Sequence, residues 1–333
     1  MMHFFPGGAE DPKLSLDFGK RIGGTAHMAA SAENDILIRD VDTKNIMTKS
    51  SLPVGGYSVN PYVGCTHGCK YCYASFMKRF TGHTEAWGTF LDVKRWPEIK
   101  NPQKYRGQRV VIGSVTDGYL PQEAWFRNTR KLLEQLKDSG AELLICTKSD
   151  LVVRDLDLLR EMGKVTVSWS VNTLDEAFRA DMDKAVSIER RLDAMKQVYD
   201  AGIRTVCFIS PVFPGITDFE AIFRRVKDQC DLVWLENLNL RGGFKGEILA
   251  YIGEKYPQLV PLYHAIYNKG DRSYFRALEE QAARLAAENG CPFVDNELPY
   301  GRAQPGHPVI VDYFYHEEIR GSENTGIRAK KKS

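Results

Sequence analysis

From residue 57 onward, short apolar runs rich in β-branched residues alternate with longer amphipathic stretches. The runs are YSVNPYV (57–63), RVVIGSV (109–115), ELLICT (142–147), KVTVSWSV (164–171), IRTVCFIS (203–210) and LVWLENL (232–238). Each has the length and the residue types of a buried strand. Between them, EAWFRNTRKLLEQLKDSG spaces Trp125, Leu132, Leu133 and Leu136 as on one helix face and stops at Gly140. SIERRLDAMKQVYDAG repeats the design, with Ser187 to cap its start and Gly202 to end it. Parallel strands joined through helices by right-handed crossovers curl in one direction. The pattern therefore predicts an α/β fold, a partial (β/α)6 TIM-like barrel, with its chemistry at the C-terminal strand ends.

Two regions flank the barrel segment, which is expected to span residues 51–240. Residues 1–50 contain only DILIRDV as a strand-like run and read as an irregular N-terminal leader. Residues 241–333 read as a C-terminal helical and strand extension: two helices (KGEILAYIGEKY and SYFRALEEQAARLAAENG), a short strand PFVDNE and an aromatic tail VIVDYFYHEE, expected to cap the barrel. The closing RAKKKS reads as a solvated end. RFTGHTEAWGTFLDVKRWPE (79–98), long and rich in aromatic and turn residues, reads as a loop that walls the site and shuts out water.

Composition narrows the class. With 333 residues and 43% hydrophobic content the chain buries a large core. Forty-five basic and 43 acidic side chains leave a net charge of +2, so no global field calls for nucleic acid or an anionic membrane. The first residues lack a basic region followed by an apolar run, and no stretch of about 18 apolar residues occurs. A cytoplasmic protein with no membrane partner is expected. Seven cysteines, three of them clustered, fit a reducing compartment better than a disulfide framework.

The clustered three, Cys65, Cys69 and Cys72, form C-x3-C-x2-C directly after the first expected strand. A structural zinc site takes four protein ligands, and a fully ligated [4Fe-4S] cluster takes four cysteines. Three thiolates leave one iron open to an external chelator. The amino and carboxylate groups of S-adenosyl-L-methionine offer such a chelate, and reductive cleavage of its carbon–sulfur bond yields a 5′-deoxyadenosyl radical. The alternative is a zinc site completed by His67, and with it a non-enzymatic metal-binding scaffold.

Beyond the cysteines, GSVTDGYLPQE (113–123), CTKSDLVVRDLDLL (146–159), VSWSVNTLDE (167–176), ERRLDAM (189–195) and ISPVFPGITD (209–218) resemble the radical S-adenosylmethionine (SAM) superfamily, in the branch of spore photoproduct lyase. The resemblance runs from about residue 50 to 240. HGCKYCYASFMKRFTGHTEAWGTFLDVKRWPEIKNP and WLENLNLRGGFKG are similar, more narrowly, to the group called radical SAM mobile pair protein B. The resemblance implies an enzyme carrying a [4Fe-4S] cluster and S-adenosyl-L-methionine, served by an external electron donor and paired with a second radical SAM protein. It favours nucleic acid over protein or small molecules as substrate; an accessory role beside the partner is the alternative. It also implies Tyr71 as a wall for adenine, Thr116 and Ser170 as contacts to the cofactor, and Lys148 as the cation that reaches its carboxylate. Asp117, Glu123 and Arg191 match motif positions too, with cofactor contact and structural support both open.

One position departs from the branch. Spore photoproduct lyase carries a hydrogen-donating cysteine where this chain has Ser114. An O–H bond gives up its hydrogen atom far less readily than S–H, so the same repair is not expected. Cys146 shares strand parity with Lys148 and so points the same way, as a substitute donor or as a small hydrophobe. Cys207, Cys230 and Cys291 read as core residues.

Overall fold

The computed structural model describes residues 36–50, 56–240, 242–295 and 301–315. Residues 1–35 of the expected leader and the basic end lie outside the described residues. The strands in chain order are β1 (Leu37–Asp42), β2 (Thr48–Lys49), β3 (Tyr57–Val59), β4 (Tyr62–Val63), β5 (Phe90–Arg95), β6 (Arg109–Ile112), β7 (Glu142–Thr147), β8 (Val165–Ser170), β9 (Arg204–Val212), β10 (Leu232–Asn237), β11 (Phe293–Asp295) and β12 (Val309–Asp312).

The larger sheet has the order β11-β12-β10-β9-β8-β7-β6-β3-β2. Strands β3 and β6 to β10 lie side by side in chain order, each parallel to the next. That is the partial TIM-like barrel the periodicity predicts. Side chains alternate across it. Val111, Val206, Phe208, Leu232 and Trp234 pack on the inner face, while Val110, Ile145, Val167, Cys207 and Val233 pack outward beneath the helices. Each fully buried aliphatic side chain contributes about 1.5–3 kcal/mol. Trp169 is fully buried on the outer face, and its indole N–H reaches the Ser149 carbonyl at 3.0 Å.

Several elements differ from the expected ones. YSVNPYV does not run as one strand: β3 stays in the large sheet, whereas β4 crosses to a three-stranded sheet ordered β1-β5-β4. Asn60 and Pro61 make the break, and the Asn60 side chain accepts the backbone N–H groups of Val115 and Thr116 at 3.0 and 3.1 Å. The expected loop at 79–98 supplies β5, the centre of that small sheet. The helix expected from Glu123 breaks at Arg127, which takes a left-handed φ of 52°. The buried Glu123 carboxylate then accepts the N–H groups of Thr129 and Arg130, giving the second piece (Asn128–Leu136) its N-terminal cap. Trp125, on the far side of that break, is 71% exposed.

Past β10 the chain adds to the sheet as well as covering it. β12 pairs parallel to β10, and β11 to β12. The helix Phe244–Lys255 places Ile248, Tyr251 and Ile252 in one apolar cluster with Tyr71, Phe178, Phe213 and Leu238. This packing brings the C-terminal segment directly against the cysteine region.

Candidate active site

The cysteine loop leaves β4 through Gly64, whose φ of +86° only glycine adopts freely; a Cβ there would stand 2.4 Å from the Phe90 carbonyl oxygen. The loop is tied by backbone bonds from Lys70 to Met182 (2.9 Å) and from Lys184 to His67 (2.8 Å). Cys65, Cys69 and Cys72 all line one pocket at the C-terminal ends of the barrel strands. Burial raises all three thiols, Cys65 to about 12, Cys69 well above its ordinary value and Cys72 in the same direction. Among the described residues, no three His, Cys, Asp or Glu side chains converge at the distance of a single metal ion. The thiols share a wall without meeting at one point.

The pocket holds about 730 Å³ of empty space, open solvent at its mouth included. Tyr71, Lys148 and Ser170 line it. The Tyr71 ring stands edge-on to Phe213 at 5.5 Å, and its hydroxyl donates to Asp183 at 3.3 Å. The Lys148 ammonium lies 5.7 Å from the Tyr71 ring centroid. Thr116 does not reach the wall. Its neighbours Val115 and Asp117 do, while Thr116 is fully buried and its hydroxyl has no hydrogen-bond partner among the described residues.

The three residues left open between contact and support divide as follows. Asp117 lines the pocket but is spent on scaffold: it accepts the Thr147 hydroxyl (2.9 Å) and the backbone N–H groups of Tyr119 (2.8 Å) and Lys148 (2.7 Å), and pairs with His67 Nε2 at 3.0 Å. Burial pushes its pKa up, but the His67 charge and these hydrogen bonds outweigh burial and hold it below the usual value. Arg191, fully buried, donates to the Ser170 carbonyl (3.2 Å), the Val186 carbonyl (3.0 Å) and Asp183 (2.7 Å). It thereby joins the tip of β8 to the segment that braces the cysteine loop. Glu123 bonds Tyr62, Arg154 and the helix start named above, away from the pocket wall.

Residues 59–226 match the sequence model of the radical SAM superfamily. The chain belongs to the radical SAM superfamily. Membership implies S-adenosylmethionine and a [4Fe-4S] cluster as cofactors, and the chain is a radical SAM enzyme of unspecified reaction. It is 34% identical over 236 residues to an uncharacterized protein of Methanocaldococcus jannaschii, covering 70% of this chain and 88% of that one. It is 26% identical over 180 residues to a protein of Pseudomonas phage M6 named radical SAM Nalpha-GlyT isomerase, covering 52% of this chain and 36% of the relative. Among solved structures, spore photoproduct lyase complexed with dinucleoside spore photoproduct aligns with a TM-score of 0.48 at 18% identity, over 66% of each chain. No described helix is long and apolar enough to cross a membrane.

The donor set fits the cofactor pair that radical SAM membership implies. Three thiols, that of Cys65 buried and those of Cys69 and Cys72 half-buried, face one pocket beside a lysine, and an orphaned hydroxyl sits just behind its wall. The zinc alternative has no four-ligand convergence among the described residues. Sequence reasoning overlooked further lining residues, among them Tyr73, Ser210, Glu236, Leu238 and Phe244. The signal was strand parity: Ser210 follows Val206 and Phe208, and Glu236 follows Leu232 and Trp234, on the inward face. Ser210 donates to the buried Glu236 carboxylate at 2.5 Å. Ser114 is absent from the wall; its hydroxyl pairs with that of Ser58 at 2.6 Å. Cys146 does line the pocket, and burial raises its thiol to about 11, which keeps it protonated at neutral pH. Cys207, Cys230 and Cys291 lie in the outer core.

Proposed function

We propose that Cys65, Cys69 and Cys72 ligate three irons of a [4Fe-4S] cluster, that Tyr71, Lys148 and Ser170 hold S-adenosyl-L-methionine beside it, and that a nucleobase enters the part of the pocket lined by Ser210 and Glu236. One observation carries the reading: the three cysteines of the motif and a cationic lysine line a single pocket at C-terminal strand ends. When bound, the cofactor pair supplies reductive cleavage of a carbon–sulfur bond.

The chain's own residues bind, orient and exclude water. The Lys148 ammonium pairs with a carboxylate through a charge-assisted hydrogen bond. Asp117 fixes where that ammonium starts by accepting the Lys148 backbone N–H. Tyr71 presents an aromatic face, pinned by Asp183. Phe244 closes the side of the pocket with the C-terminal helix. Thr116 stands with them only as the orphaned hydroxyl behind the wall. Cys146 presents a neutral S–H to the cavity. A nucleic-acid substrate is supported by the sequence resemblance to the photoproduct lyase branch, and an external electron donor completes the system.

The test is anaerobic reconstitution with iron and sulfide, reduction, and addition of S-adenosylmethionine. Formation of 5′-deoxyadenosine in the wild type but not in Cys69→Ala is expected. Equal yields from the two, or zinc alone after anaerobic purification, would discard the proposal in favour of a metal-binding accessory protein.

A further inference from the structure

His67 lies inside the cysteine motif, between Cys65 and Cys69, and lines the same pocket as all three thiols. Only 2% of it is exposed. Its main chain is fixed by the Lys184 N–H, which donates to the His67 carbonyl at 2.8 Å. Its ring is fixed by Asp117, whose carboxylate stands 3.0 Å from Nε2. The other groups bonded to that carboxylate are all donors, namely the Thr147 hydroxyl and the backbone N–H groups of Tyr119 and Lys148. Asp117 therefore accepts throughout, and Nε2 carries the hydrogen that it receives. A neutral imidazole so held has its lone pair at Nδ1. That atom is buried and has no hydrogen-bond partner among the described residues. A buried polar atom left unfilled costs ~1–3 kcal/mol and calls for a reason. Metal-ligating histidines share this arrangement: a carboxylate takes the outer N–H, fixes the tautomer and makes the bare nitrogen more basic.

We propose that His67 Nδ1 ligates the fourth iron of the cluster while the cofactor is absent and gives that iron up when S-adenosylmethionine binds. The inference rests on the cysteine and cofactor assignments made above. Three thiolates and one imidazole complete a four-ligand set. A single zinc ion would need all four at one point, and no such convergence exists among the described residues. A cubane takes each ligand on a separate iron, so its ligands need only share a wall, as these four do. The exchange moves no electron and no proton of the ring: the Nδ1 lone pair leaves the iron, and the cofactor's amino nitrogen and carboxylate oxygen replace it. His67 stays on Asp117 throughout. It thus caps the open iron until the cofactor arrives.

The full chain, grown with ¹⁵N-histidine, is reconstituted anaerobically with iron and sulfide, reduced, and read by pulsed electron paramagnetic resonance. Without cofactor, a ¹⁵N coupling from a directly bound nitrogen is expected. Its source is His67, the one histidine among the described residues that line the pocket. Unlabelled S-adenosylmethionine, added until equilibrium dialysis shows the site filled, should abolish it. His67→Gln keeps an N–H for Asp117 but has no imidazole nitrogen. With no ligand to displace, it should bind S-adenosylmethionine about tenfold more tightly, the gain expected if imidazole holds the iron about nine-tenths of the time. Absence of the coupling from the cofactor-free wild type overturns the inference while leaving the cysteine assignment standing, and this readout needs no variant to fold. An affinity in His67→Gln no tighter than that of the wild type overturns the exchange. A coupling that survives in the filled site overturns it too, and with it the cofactor placement proposed above. A wild type that assembles no cluster defeats the cysteine assignment itself, and this inference with it.

Discussion

Two buried carboxylates face the same pocket, and they are held in opposite ways. Asp117, at the cysteine end, takes its hydrogen bonds from the backbone of Tyr119 and Lys148, from Thr147 and from His67, all parts of the scaffold that carries the loop. Glu236, near the end of β10, is bonded by Ser210 on the neighbouring β9, itself a wall residue. Burial alone therefore does not sort functional from structural acids; the partners do. A carboxylate that accepts backbone N–H groups fixes the main chain around it, whereas one held through a side-chain hydroxyl makes no such demand on the backbone.

Removing these groups should separate the two ends. Asp117→Ala leaves buried donors and His67 without a partner and is expected to cost about 3–5 kcal/mol in denaturant unfolding; a loss no greater than that of a Glu236 variant would break the contrast. Because the folded Asp117 value lies below the ordinary one, its contribution is present above about pH 3.9 and fades as pH falls through the folded value. The stability gap between wild type and Asp117→Asn, followed by acid titration, should narrow in that window. Glu236→Gln keeps an acceptor for Ser210, so its stability should change by no more than about 1 kcal/mol. Its iron-to-protein ratio should stay at the wild-type level, while turnover of substrate is lost. A depleted iron content in Glu236→Gln would mean that Glu236 is part of the cluster scaffold. Trp125→Ala, at an exposed position remote from both carboxylates, should stay within about 0.5 kcal/mol by thermal unfolding and sets the background for the other two.

The same contrast runs through what could be read in advance. Strands β6 to β10 are legible because alternating or fully apolar runs must be buried strands whatever their neighbours, and β7 spans the residues its pattern marks. Lys148 and Ser170 were found from motif resemblance, and the barrel rule then brought them to the cysteine pocket. Thr116 carried the same kind of motif signal, yet the backbone turn at Asn60 sets it behind the wall. β5 was hidden because FLDVKR sits among turn residues and becomes a strand only by pairing, parallel with β1 and antiparallel with β4. The helix Val260–Lys269 has weak amphipathic contrast and went unmarked for the same reason. Trp125 obeyed helical spacing but lies beyond a left-handed residue that the buried Glu123 carboxylate makes tolerable.

Sequence by itself determined the strand succession, the inward parity of Cys146, Ser170, Ser210 and Glu236, and the three-thiol loop, since periodicity and close spacing act within a few residues. Tertiary structure alone decided that Glu236 would line the same pocket as those thiols, that Gly88 would pack against the cysteine loop at Gly68, and that β11 and β12 would lengthen the sheet. Those outcomes join segments tens to hundreds of residues apart, and such contacts form only when burial of both partners outweighs the entropy of bringing them together.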